Sequence, residues 1–184
     1  GDEPVIRRVR SECFGVAGST EKKIAERLHK AGKPPLEVHE ALGRSLAAYQ
    51  RSLAVDPHSH WAASQCLCLG AVLEQPPDHD RWVRAYGIAK AKSVASSGTE
   101  EAWAHGALAE LELLSLYHLG NKPRVEDVIK AIAEHCRRIV EIVGWDDFAI
   151  TSSRRQFVRY TDWWKNELWT GVAEQAVKAL TRPY

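Results

Sequence analysis

Apolar residues recur along most of this chain at the spacing of a helix, and over residues 20–180 no alternation lasts long enough to make a strand. That periodicity limits the fold more than any other feature. The clearest stretch follows Pro123, where Val125, Val128, Ile129, Ile132, Cys136, Ile139, Val140 and Val143 form one continuous stripe that Gly144 stops. Upstream, Val38, Leu42, Ser45, Leu46, Tyr49 and Leu53 follow the same spacing between Pro35 and Asp56-Pro57. Ser59 is placed to cap a helix from about Trp61 to Leu73, closed by Pro76-Pro77, and another runs from about Asp80 to Ala95. Thr99 with Glu100 and Glu101 starts a fifth, since acids suit the positive end of the helix dipole. A first helix is expected after Ser19 or Thr20, and a last helical region, broken or bent, from about Ser153 to Leu180. Residues 1–18, with Gly15 and Gly18 as punctuation and no clean stripe in Val5-Ile6-Arg7-Arg8-Val9-Arg10, read as an irregular lead-in. The expectation is all-α, about seven helices, in a single helical domain over residues 19–184.

The chain also repeats itself. Trp61, Trp103 and Trp145 are 42 residues apart, and Trp82 falls midway between the first two. A shift of 42 residues lays Ala62 on Ala104, Cys66 on Leu108, Leu69 on Leu111 and Val72 on Leu114. The following helix continues the match, with Val83 on Val125, Tyr86 on Val128, Ala89 on Ala131 and Val94 on Cys136. A fixed period across two helices predicts a solenoid in which each antiparallel pair buries its face on its neighbours, stacked with a right-handed sense. Trp61, Trp82, Trp103, Tyr49, Leu111, Ile129, Ile132 and Ile139 are the expected core.

Lys30-Ala31-Gly32-Lys33, followed by Ser45, Tyr49, Leu53 and Pro57 at four-residue steps, resembles the second half of a tetratricopeptide repeat. Trp61 and Trp103 stand near the first-helix aromatic of that motif. The 42-residue period exceeds the 34 of that repeat, so the resemblance is to degenerate, long-helix repeats. A narrower resemblance rests on His60-Trp61 with Gln65-Cys66-Leu67-Cys68-Leu69, on the run Glu101-Ala102-Trp103-Ala104-His105-Gly106-Ala107-Leu108-Ala109-Glu110-Leu111, and on Ser153-Arg154-Arg155-Gln156 leading to Arg159-Tyr160. Across roughly residues 20–165 the chain is similar to the helical region beside CHAT-type caspase-like proteases and other bacterial conflict-system effectors. It is similar too to the TRAFs-binding region of the apoptosis-signal-regulating kinases. The resemblance implies a scaffold in a bacterial cytoplasm, with a caspase-like protease or NTPase effector elsewhere in the polypeptide.

Composition excludes several function classes. Hydrophobic residues make up 45% and charged residues 27%, an ordinary folded balance. Lys+Arg 25 against Asp+Glu 24 gives a net charge of +1, too small a field to draw in nucleic acid or anionic lipid. No apolar run approaches the roughly 18 residues a membrane span needs. Cys13, Cys66, Cys68 and Cys136 form neither a disulfide framework nor a CxxC pair, which points to a reducing compartment. The chain has no Met and begins at Gly1, and is expected to be a segment of a longer polypeptide.

Residues able to do chemistry are few. His58-Ser59-His60 and Asp78-His79-Asp80 carry metal-ligand types, but the expected third helix holds them about 24 Å apart, so one ion cannot reach both. Arg51 and His58 are spaced like the pair of HEPN-type helical ribonucleases, yet Asp56-Pro57 interrupts the helix between them. No GxxxxGK[ST], GxSxG or HExxH pattern occurs. No catalytic residue, metal or cofactor is therefore assigned. The expected partner site is Arg154, Arg155, Arg159, Trp163 and Trp164, where arginine forks and aromatic rings fall where the repeat stops. A protein or peptide, an effector domain of the same polypeptide included, is the favoured partner, and the oligomeric state is left open. The alternative is a helical nucleic-acid-binding or nuclease-like domain using the Arg154/Arg155/Arg159 patch.

Overall fold

A computed structural model describes residues 4–183. Among these, eight α-helices and no strand are present: α1 (Pro4–Lys30), α2 (Pro35–Val55), α3 (His60–Val72), α4 (His79–Ala95), α5 (Thr99–His118), α6 (Val125–Val143), α7 (Phe148–Asp162) and α8 (Thr170–Ala179). The all-α expectation holds, and the helix count is eight rather than seven. No helix among the described residues is long and apolar enough to cross a membrane. The chain divides into two compact units, one ending at Pro76 and the other beginning at Pro77.

In the first unit, α1 and α2 lie antiparallel, with Ser11 opposite Ser52 and Gly18 opposite Ser45. Ser45 Oγ donates to the Gly18 carbonyl at 2.7 Å, and Ser52 Oγ donates to the Ser11 carbonyl at 2.9 Å. The face of α1 turned inward is Ser11, Gly15, Gly18, Lys22 and Ala25, so the helix packs through small residues. The aromatic rings of the neighbours then rest on its backbone. A Cβ on Gly18 would come within 2.8 Å of the Tyr49 ring, and one on Gly15 within 2.5 Å of the Trp61 ring. Tyr49 and Trp61 meet edge to face, with centroids 5.5 Å apart. Lys22 is buried, its ammonium donating to Gln65 of α3.

The irregular lead-in expected over residues 1–18 is helical from Pro4 on; residues 1–3 lie outside the described residues. The reason is physical. Gly15 and Gly18 do not punctuate the chain; they admit Trp61 and Tyr49 at a distance that no side chain at those positions would allow.

In the second unit α5 is central, and almost every residue from Ala107 to Leu116 is buried. α4 packs on it antiparallel: Trp82 Nε1 donates to the Leu111 carbonyl at 2.8 Å, and Lys92 pairs with Glu100 at 2.5 Å. α6 does likewise on another side through Val128, Ile132, Cys136 and Ile139. α7 runs parallel to α5, with Ser153 against Gly106 and Tyr160 bonded to Glu110. α8 packs on α6 and α7. The expected last helical region is two helices, α7 ending at Asp162 and α8 starting at Thr170 after a turn at Asn166. The Trp164 N–H donates to the Arg159 carbonyl at 2.9 Å, and Asn166 Oδ1 accepts the Leu168 N–H at 2.8 Å.

Of the expected core, Tyr49, Leu111, Ile132 and Ile139 are fully buried. Trp82, Trp103 and Ile129 are half-buried. Trp61 is 38% exposed, with one edge of its ring against Gly15 and part of the rest open to solvent.

The two glycines separate under substitution. Gly18→Ala drives a methyl into the fully buried Tyr49 ring, and overpacking of about 1–3 kcal/mol exceeds the gain of about 1 kcal/mol in helix propensity. Gly15→Ala meets a partly exposed Trp61 that can swing aside. Urea denaturation is expected to show Gly18→Ala destabilised and Gly15→Ala close to the parent; the reverse order would contradict the packing.

Candidate functional site

The expected partner residues are not brought together on one surface. α7 turns Ser153, Gln156, Phe157, Arg159 and Tyr160 inward, and leaves Arg154 and Arg155 exposed. Arg154 Nε donates to Thr181 Oγ1 at 3.1 Å. Arg159 is 5% exposed, and its guanidinium donates to Gln156 Oε1 at 2.7 Å. Gln156 Nε2 in turn donates to Glu110 Oε1 at 2.6 Å, and the Tyr160 hydroxyl donates to the same oxygen at 2.8 Å. Glu110, on the central helix, is itself buried. The chain Arg159–Gln156–Glu110–Tyr160 is a buried polar network, in which each group removed from water has a bonded partner.

The two tryptophans behave as unlike neighbours on a helix end must. Trp164 is buried and Trp163 half-buried, with ring centroids 4.9 Å apart. Trp164 packs edge to face on Tyr160 at 5.4 Å, and Trp169 on the other side of Tyr160 at 5.5 Å. Trp169 Nε1 donates to the Trp164 carbonyl at 2.6 Å. This aromatic cluster packs the α7–α8 corner. Only Arg154, Arg155 and part of Trp163 remain for a partner to touch.

A second cluster escaped the sequence reading. His105 of α5 and His135 of α6 bring their Nδ1 atoms to 3.0 Å, with ring centroids 5.2 Å apart. One Nδ1 must donate and the other accept, so the pair holds a single proton between them. Burial pushes both imidazoles below their ordinary range. His135 falls to about 4, first through burial and then through the charges of His105 and Lys90, against the pull of Glu134. Around His105, Glu101 favours the charged form while Arg138 and Lys90 oppose it. Glu101 is already held by Arg138 at 2.8 Å. The arrangement is a neutral, hydrogen-bonded link between two antiparallel helices. Thirty residues separate the two histidines, and only the α5/α6 register shows that they meet.

The remaining candidates fall to structural roles. Asp78 caps α4 by accepting the Arg81 N–H at 2.9 Å, and His79 lies exposed beside Asp80. Asp56 Oδ1 accepts the His58 N–H at 3.1 Å in the turn after α2, while Arg51 is exposed on α2 itself. Cys66, Cys68 and Cys136 are buried and Cys13 is exposed; burial raises the Cys136 thiol to about 12. Among the described residues, no three His, Cys, Asp or Glu side chains converge to hold a metal ion.

One surface is left that packing within the first unit does not explain. At about 100° per residue, Val5, Ile6, Val9, Cys13 and Val16 fall on the side of α1 opposite Ser11, Gly15, Gly18, Lys22 and Ala25. Their exposures are 70% for Val5, 49% for Ile6, 52% for Val9 and 60% for Val16, and Cys13 is exposed with them. α1 therefore has two faces, small residues inside and branched apolar residues outside. Comparison with family models, with curated proteins and with solved structures finds no match to this chain.

Two outcomes follow from this geometry. Arg159→Ala strands Gln156 in the interior and is expected to lower stability by about 1–3 kcal/mol, whereas Arg155→Ala stays within about 0.5 kcal/mol. Urea unfolding of both variants measures the difference. The histidine pair gives a pH dependence. Because the folded pKa values lie below the unfolded value of about 6.5, the unfolded chain binds more protons between roughly pH 6.5 and 4, and stability falls as pH drops through that window. Replacing His135 by Gln is expected to flatten that part of the curve; an unchanged slope would show that carboxylates alone produce it.

Proposed function

We propose that this chain is a non-catalytic protein–protein interaction and regulatory scaffold, belonging to a larger bacterial signalling or defence effector of the cytoplasm. The observation that carries the reading is the outer face of α1. Five contiguous apolar side chains on one side of a helix, opposite the side already packed, are what a protein-binding helix presents. A tetratricopeptide-like right-handed stack is the architecture we propose for the helices. The antiparallel α5–α6 pair, with α7 parallel to α5, supports it, since successive first helices of such repeats run in the same direction. The effector context rests on the resemblance of the helical segments to regions beside caspase-like proteases.

The nucleic-acid alternative loses support from the burial of Arg159 and Trp164, which leaves Arg154 and Arg155 as the exposed arginines of the expected patch. Salt-dependent binding requires several phosphate contacts acting together.

A photo-crosslinking residue in place of Val9, expressed in the native cells, is expected to capture one discrete polypeptide. The same residue in place of exposed Gln50 on α2 is expected to capture none. Absence of a Val9-dependent adduct would count against the scaffold reading. RNA or DNA retention that Arg154→Ala with Arg155→Ala abolishes would favour the rival instead.

A further inference from the structure

The outer face of α1 has a spacing as well as an apolar character. Ile6, Val9, Cys13 and Val16 are separated by three, four and three residues, the step of a coiled-coil seam, with Val5 beside them. Branched side chains dominate it, and such residues pack into the holes of a facing helix. Beyond Val16 the same face continues to Lys23 and Arg27, both exposed. Over the whole of α1, Lys and Arg number seven against three Glu. Those three acids are each engaged: Glu12 by Arg8, Glu21 by Arg44 of α2, and Glu26 by Lys30. What the face offers a partner is therefore an apolar seam with positive charge at its far end.

We infer that this face docks a single amphipathic helix of acidic character, which lays its apolar stripe on Ile6, Val9, Cys13 and Val16 and its carboxylates against Lys23 and Arg27. This deepens the scaffold reading and rests on it. Charge selects the occupant. A second copy in parallel would set Lys23 and Arg27 against their own counterparts, and like charges across such a seam repel. A second copy in antiparallel would meet only over residues 5–16, fewer than two heptads, and would leave Lys23 and Arg27 outside the contact. An acidic helix uses the full length of the face from Val5 to Arg27. Opposite charge also speeds its encounter.

The probe is a synthetic three-heptad peptide with Leu at the seam positions and Glu at the flanking ones, labelled for fluorescence anisotropy and titrated with the 184-residue chain. A matched peptide with Lys at the flanks is the control. The acidic peptide is expected to bind at least tenfold more tightly than the basic one, with affinity falling as salt rises. Val9→Glu is expected to weaken it about tenfold or more, and Lys23→Glu with Arg27→Glu to weaken it independently of the seam. All of these positions are exposed, so unchanged circular dichroism accompanies each loss. No binding of the acidic peptide, or equal binding of both peptides, overturns the inference. So does concentration-dependent dimerisation of the chain that Val9→Glu abolishes, or sedimentation with phosphatidylserine vesicles in place of peptide binding. A Val9-dependent crosslink in cells together with failure of the acidic peptide would retain the scaffold and reject this partner.

Discussion

The close approach of α1 and α2 governs how the first unit is built and what it shows to the outside. Serine hydroxyls at positions 11, 45 and 52 bond to backbone carbonyls or to each other across the gap, and the glycines let Tyr49 and Trp61 lie on the helix surface. A seam of that kind is filled by aromatic rings arriving from the neighbours, so α1 needs no large side chains of its own on its inner face. Its valines and isoleucine are then left on the opposite side. The exposed apolar face is thus a consequence of the packing device and also the feature that gives the helix something to recognise with.

The second unit solves a different problem. α5 is buried on nearly every side, and a helix so placed usually carries no charge. Glu110 is its fully buried acid, and Gln156, Tyr160 and, through Gln156, Arg159 satisfy it. The network fixes the rotation of α7 against α5, because a shift of one residue along α7 would leave a buried carboxylate without its donors. The arginine and aromatic residues that looked like a surface patch are spent on this interior. Their type resembled an interface because a buried polar corner and a protein interface draw on the same residues, aromatic rings and guanidinium groups that combine apolar area with directed hydrogen bonds.

The sequence was legible where one face of a helix is apolar and the other polar. The stripe of α6 identified its buried residues Val128, Ile132, Cys136 and Ile139, and Ser59 caps α3 as its position suggests, accepting the Ala62 N–H. It was misleading where burial does not follow hydrophobicity. α1 buries Ser, Gly and Lys and exposes Val and Ile, so a search for apolar periodicity sees no inward stripe and takes Gly15 and Gly18 for breaks. The same logic misplaced Trp61, whose ring packs on Gly15 and stays partly exposed. The histidine pair and the Glu110 network were not legible at all, since each depends on the register of two helices far apart in sequence.

The central claim is that α1 is continuous from Pro4 and turns its branched face, with Cys13 in the middle, away from its own unit. The four cysteines make it directly measurable, because Cys13 alone is exposed while Cys66, Cys68 and Cys136 are buried. Thiol reactivity follows access to the thiolate. Titration of the native chain with a coloured disulfide reagent, followed by peptide mapping, is expected to modify one thiol promptly, at Cys13, and the other three only on unfolding. Protection of Cys13, or modification of Cys66, Cys68 or Cys136 at a comparable rate, would contradict the orientation of α1 on which the account rests.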